Sequence, residues 1–255
     1  MALNQVGRLD LIDLQAISDS YGREFMPHPF VHLRSSPFAS YQEYEVHKIA
    51  VRDRLCRGDL SDFNRWFSTY LDADIRVECV VSSVVAPRGR LLAHRRGQHG
   101  FIAAQRPDDH VVEVYAVSPY EIGPAITEAL TLTTPGRHAR IAIPDFVRRT
   151  VQPSSFDVNE IVPLVHRDRH TDTVSVPRSQ VTRCVRVQSH WGPAREWGFS
   201  HSKKAVVCVA VEGDGDYLYT QSFEFLTPMT AHSLTSRIND LIAEDVAQVR
   251  RSQSE

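Results

Sequence analysis

The chain has 255 residues, of which 42% are hydrophobic and 24% charged, with a formal net charge of -2 and a pI near 6.6. That length buries a substantial core as one large domain or two intimate halves. The near-neutral balance gives no electrostatic basis for binding nucleic acid or an anionic membrane.

From the N-terminus, Met1 to Gln15 lacks a signal-peptide core. Residues Leu9–Tyr21 form a first helical segment, with Leu11, Leu14 and Ile17 at helical spacing and Gly22 to end it. The stretch from Phe25 to Tyr44 carries Pro27, Pro29 and Pro37 and reads as a loop, with Phe30, Val31 and Leu33 as a candidate edge strand. Helices follow over Glu45–Cys56, stopped by Gly58, and over Ser61–Leu71, where Phe63, Trp66, Phe67, Tyr70 and Leu71 make one apolar face.

Strand patterns come next. In Ile75–Val85, Ile75, Val77, Cys79 and Val81 share one face, with Arg76 and Glu78 on the other. Short polar turns at Pro87-Arg88-Gly89-Arg90, Arg96-Gly97-Gln98-His99-Gly100 and Pro107-Asp108-Asp109 join it to Leu91–His94, Phe101–Arg106 and His110–Val117. Together these make a four-stranded antiparallel meander. Ser118-Pro119 then opens a helix over Pro119–Leu132, a hydroxyl N-cap followed by proline at the first helical position.

Prolines punctuate Thr134–Arg178, where Asp157–Val165 is the one helical candidate and Arg167–Thr173 a charged loop. Val181–Gln188 is a strand, and Trp191–Phe199 holds a turn and a short strand. Ala205–Val211 and Tyr217–Leu226 flank the turn Glu212-Gly213-Asp214-Gly215-Asp216. A second hydroxyl-proline pair, Thr227-Pro228, opens a last helix on which Leu234, Ile238, Leu241, Ile242, Val246 and Val249 fall three to four residues apart. The repeated strand–turn–strand–helix pattern gives the fold class: α+β, in two pseudo-symmetric halves. Each half is an antiparallel β-meander followed by a packed helix, with additional N-terminal and C-terminal helices. The chain is read as a single domain over 1–255, its halves about 1–140 and 175–255 joined by a loop-rich segment, 141–174.

Residues that could carry chemistry do not converge in the sequence. His28 and His32 are separated by Pro29; His166 and His170 interleave with Asp168 and Asp172 but have arginine neighbours, which repel a cation. Gly213-Asp214-Gly215-Asp216 lacks the further oxygens of a calcium loop and reads as a tight hairpin. Ser35, Ser36 and Ser40 have only chance histidine neighbours, and no GxGxxG, P-loop or GxSxG motif occurs. The four cysteines, Cys56, Cys79, Cys184 and Cys208, form no CxxC pair and are expected as reduced structural thiols. The reading is therefore no catalytic residue, no metal and no cofactor. An enzyme using His94, His99 or His110 as acid or base is the alternative, and a self-associating scaffold or homodimer a third. Trp66 and Phe67 read as core, while the Gly192-Pro193 turn leaves one of Trp191, Trp197 and Phe199 free to be exposed. For a protein partner the anchors chosen are Phe223, Phe225 and Leu226, or their neighbours in the sheet.

The order of these elements resembles the EspG family, the ESX (type VII) secretion-associated proteins of actinobacteria. The resemblance rests on Leu55 through Arg76, with Gly58-Asp59-Leu60 before an aromatic-rich helix and then Asp74-Ile75-Arg76-Val77-Glu78. It continues in Arg90-Leu91-Leu92-Ala93 into Gly100-Phe101-Ile102-Ala103-Ala104, and in Gly213-Asp214-Gly215-Asp216-Tyr217-Leu218 with Thr227-Pro228 and the terminal helix. It implies a pseudo-twofold α+β protein that is not an enzyme: a cytoplasmic chaperone that covers the apolar tip of a PE–PPE heterodimer and marks it for secretion. The implied contact surface is the central sheet and the C-terminal helices. No nucleic-acid partner and no membrane insertion are expected.

Overall fold

Asp10 closes a strand and opens a helix in one step: its backbone is extended, and its side chain accepts a hydrogen bond from the Ile12 amide at 2.8 Å. In the computed structural model, which describes residues 3–106, 110–144, 173–192, 198–200 and 202–252, that strand is β1 (Asn4–Asp10) and the helix α1 (Leu11–Ser20). The sequence does not announce this strand, because its two large apolar residues, Val6 and Leu9, are three apart and break a two-residue alternation. It pairs antiparallel with β5 (Val111–Val117). Helix α2 runs over Tyr41–Arg57, one turn earlier than predicted. Ser40 accepts from the Glu43 amide while the Glu43 carboxylate accepts from the Ala39 amide, a reciprocal cap that the S-x-x-E spelling announces. Helix α3 spans Ser61–Leu71 as expected.

Strands β2 (Ile75–Ser83), β3 (Gly89–Arg96), β4 (His99–Gln105) and β5 are consecutive antiparallel neighbours, the predicted meander. Helix α4 covers only Ile122–Ala129, because residues 118–121 form a turn, with the Glu121 amide bonded to the Ser118 carbonyl. Next come β6 (Arg140–Ala142) and β7 (Thr173–Ser175), so the ends of the stretch read as a loop-rich connection are strands. Beyond them lie β8 (Val181–Trp191), β9 (Val206–Val211), β10 (Gly215–Tyr219), β11 (Leu226–Pro228) and α5 (Ala231–Ser252). The expected single strand Tyr217–Leu226 is thus a hairpin, β10 and β11 being joined by residues 220–225, where Phe223 takes φ +58°. Pro228 ends β11 and does not start the helix. Thr230 does, capping the Ser233 amide while Ser233 Oγ accepts from the Thr230 amide.

All eleven strands form one sheet in the order β1-β5-β4-β3-β2-β8-β9-β10-β11-β6-β7, antiparallel except for β6 with β7. The first strands of the two four-strand runs, β2 and β8, pair at its centre along the whole of β2. One face of the sheet carries α4 and α5 over Ile75, Val77, Cys79, Val185, Val187 and Cys208. The two helices approach closely at Gly123, where a Cβ would sit 2.1 Å from the Asn239 amide oxygen. That contact explains a glycine at a position where a helix would otherwise favour alanine. Leu234, Ile238 and Ile242 of α5 are buried there, each contributing about 1.5–3 kcal/mol.

On the opposite face, α1, α2 and α3 cover β1, β5, β4 and β3 through Leu92, Phe101, Ala103, Val112 and Val114. A separate cluster of Val207, Val209, Tyr217, Tyr219 and Ile141 fills the far end. On the opposite side of β10 from Tyr217 and Tyr219, Asp216 is fully buried and fixes residues 131–136, accepting from the Thr133 amide at 2.6 Å, from Thr133 Oγ1 at 2.9 Å and from Arg183 at 2.9 Å. The Gly213-Asp214-Gly215-Asp216 stretch is the expected tight hairpin; Asp214 accepts from Tyr217 and from the Arg137 amide. All four cysteines are free thiols, as expected. Among the described residues, no helix is long and apolar enough to cross a membrane.

Candidate functional site

Between the two clusters of that face lies a strip where β2 and β8 meet. Paired residues share a face, so the register Arg76–His190, Glu78–Gln188, Val80–Arg186 and Ser82–Cys184 sets eight side chains in two columns. Half of the strip is roofed. Glu78 is buried, with Oε2 2.9 Å from His28 Nδ1 and 3.5 Å from His190 Nε2. A carboxylate only accepts, so the His28 proton sits on Nδ1. Burial pushes the Glu78 carboxyl upward, but the two histidine contacts outweigh it and hold it at about 2. Gln188 donates to the carbonyls of Ser200 and Lys203 and accepts from the Ser200 amide, which ties Ser200 and Lys203 across the sheet. Arg76 donates to the Gly192 carbonyl at 2.5 Å.

The other half is open. Val80 and Arg186 are half-buried and Ser82 is exposed. The β2–β3 connection rises from this end, with the Val84 amide bonded to the Thr182 carbonyl at 3.0 Å. Its first two residues are Val84 and Val85, 74% and 85% exposed and the two most exposed large aliphatic side chains described. Single exposed apolar residues are ordinary; here two adjacent valines are exposed in one connection. On this half of the strip a cavity of about 270 Å³ is lined by His28, Glu78, Val80, Ser82, Arg88, Cys184, Arg186 and Phe199. The Arg186 guanidinium lies 4.4 Å over the Phe199 ring. Burial raises the Cys184 thiol above its ordinary value, so it is not a poised nucleophile. A second concavity of about 750 Å³ runs along α5 on the other face, where Tyr120, Ile122, Ile242 and Val246 meet Arg95 and Arg251.

The anchors chosen from the sequence lie elsewhere. Leu226 is fully buried beneath β10 and cannot reach a partner, because the turn at 220–225 places it inside the hairpin. Phe223 and Phe225 are half-buried and do not share a strand face; Phe223 packs on Tyr219, and Phe225 lies under the Arg140 guanidinium. Trp191 is 45% exposed at the end of β8, Trp66 and Phe67 are core, and Trp197 lies outside the described residues. So do His166, His170, Asp168, Asp172 and the helical candidate Asp157–Val165.

The three histidines of the enzyme alternative occupy separate environments. His94 is enclosed by Trp66, Tyr70 and Phe101 and donates from Nε2 to the Trp66 carbonyl at 3.1 Å; burial pulls it down to about 3. His99 is exposed beside Arg65, and His110 stacks on His32. His28 and His32, four apart in the sequence, thus serve Glu78 and His110 respectively. The sequence signal for the open site was present: Cys184, Arg186, Gln188 and His190 alternate with Val185 and Val187, and Val84-Val85 precedes a proline-glycine turn.

No curated protein matches the sequence. Among solved structures, the chain is similar to the Mycobacterium tuberculosis type VII secretion system chaperone EspG5, determined in complex with the PE25-PPE41 dimer. The identity is 12%, over 92% of this chain and 95% of that one, with a TM-score of 0.48. The profile of the EspG family matches residues 13–240, nearly the whole of the sequence. The chain therefore belongs to the EspG family.

Proposed function

We propose that the protein is a cytoplasmic, non-enzymatic chaperone of a type VII (ESX) secretion system. In this reading it binds a PE–PPE heterodimer, keeps it soluble and delivers it for export. The observation that carries the reading is the family assignment across residues 13–240. The surface supports it: Val84 and Val85 are exposed in the β2–β3 connection, which also supplies Arg88 to the cavity at the centre of the sheet. A few aliphatic anchors of this kind suffice for a standard-sized interface. Phe223 and Phe225 supply a smaller outlying contact. The scattered environments of His94, His99 and His110 support a binding role over acid–base catalysis.

The same reading takes residues 1–255 as one unit of two pseudo-symmetric halves, about 1–140 and 175–255. It is supported by two four-strand runs that meet at the β2–β8 pair and lead into α4 and α5. Co-expression with the PE–PPE pairs of the source genome tests the function. A soluble complex that survives size exclusion is expected with at least one pair. If every pair stays insoluble or unbound, the reading fails.

A further inference from the structure

Most arginines in strands of this protein are spoken for. Arg76 has the Gly192 carbonyl, and Arg183 has Asp216 and two backbone carbonyls. Arg186 is different. Its Nε is buried and has no hydrogen-bond partner among the described residues, and its contact is the Phe199 ring at 4.4 Å. An unpaired buried donor on a charged group is expensive, so a site built this way is completed by something that accepts. Arg88 lines the same cavity from the β2–β3 connection, and it too faces no carboxylate among the described residues. The one acid in the cavity, Glu78, is already committed to His28 and His190. Two guanidinium groups therefore face a small concavity with no anion to balance them.

We infer that this cavity receives a single carboxylate side chain, Asp or Glu, carried on an apolar segment of the PE–PPE partner, with Arg186 and Arg88 as its ligands. Three observations choose this occupant. The cavity, about 270 Å³, lies below the ~300–1,000 Å³ of metabolite pockets and fits one side chain. Guanidinium forks match carboxylates bidentately, and Phe199 holds the Arg186 fork in place. Val80 lines the cavity, and the exposed Val84 and Val85 lie in the same β2–β3 connection as Arg88, so an apolar segment suits the residues around the acid. The valines would supply area, and the arginine pair would select the register in which a partner docks. The inference rests on the proposed chaperone function for its partner, but not for its ligand chemistry.

The test therefore has two arms. In the first, the isolated protein is titrated with N-acetylglutamate amide while the arginine Nε–H resonances are followed by NMR. A saturable shift of the Arg186 resonance is expected, absent with the neutral N-acetylglutamine amide and lost in Arg186→Gln. No shift, an equal shift with the neutral probe, or a tighter response to inorganic phosphate overturns the assignment. In the second arm, a PE–PPE pair that co-purifies with the wild type is titrated against Arg186→Gln and the exposed Arg88→Gln, whose folding is not at risk. Affinity is expected to fall about 10- to 100-fold for Arg186→Gln and less for Arg88→Gln, with a weaker salt dependence in both. Unchanged affinity in both variants overturns the inference and leaves the chaperone reading standing. A wild type that binds no pair removes the chaperone reading, and the first arm then decides the cavity alone.

Discussion

Replacing Glu78 by glutamine removes one charge at the centre of the sheet with almost no change of shape. The carboxyl is held at about 2 against an ordinary 4.5, which corresponds to about 3 kcal/mol of stability at neutral pH. Because the folded-state value is depressed, the unfolded chain takes up the proton first on acidification. The stabilisation is therefore complete above about pH 4.5 and lost as the pH falls toward 2. Urea unfolding followed by circular dichroism is the assay. At pH 7 the Glu78→Gln midpoint should lie about 1 M below that of the wild type, given the slope typical of a chain this long. The gap should narrow steadily between pH 5 and pH 3, since every other group titrates in both proteins. Parallel curves across that range would refute the account of Glu78 as an ion held by His28 and His190.

Three further outcomes are expected. Asp216→Asn takes the counter-ion from the half-buried Arg183 and should cost about 3 kcal/mol in the same urea assay. Thr230→Ala removes the cap of α5 and should cost about 1 kcal/mol, read as a small drop in thermal midpoint without a change in helix content. The double change Val84→Asp and Val85→Asp touches only exposed side chains, so the melting temperature should stay within error of the wild type. Binding of a co-purifying PE–PPE pair, measured by biolayer interferometry, should instead weaken by more than about 30-fold.

How legible each part was depended on whether its signal was local. Helix α3 was read in full because five apolar residues fall on one face, and the meander β2 to β5 because its turns are short and polar. Helix α5 was legible from Leu234 onward, but its start was misplaced. Thr227-Pro228 spells a cap, yet Leu226–Pro228 is claimed by pairing with β10, and capping falls to Thr230. The strands β1, β6 and β7 are short or weakly alternating, and they exist because edges of a long sheet recruit them; no local pattern encodes that. The same non-local logic moved the candidate site. Phe223 and Phe225 looked like a strand face until the turn at 220–225 separated them, whereas Arg186 gained its meaning only when pairing set it beside Val80 and under Phe199.

Hydrogen–deuterium exchange on the full chain, with and without a co-purified PE–PPE pair, tests the central claim most directly. The account predicts new protection in residues 80–88 and 182–186, with α2 and the Asp216 region unchanged. Protection confined to other surfaces, or none at all in a complex shown to form, would contradict it.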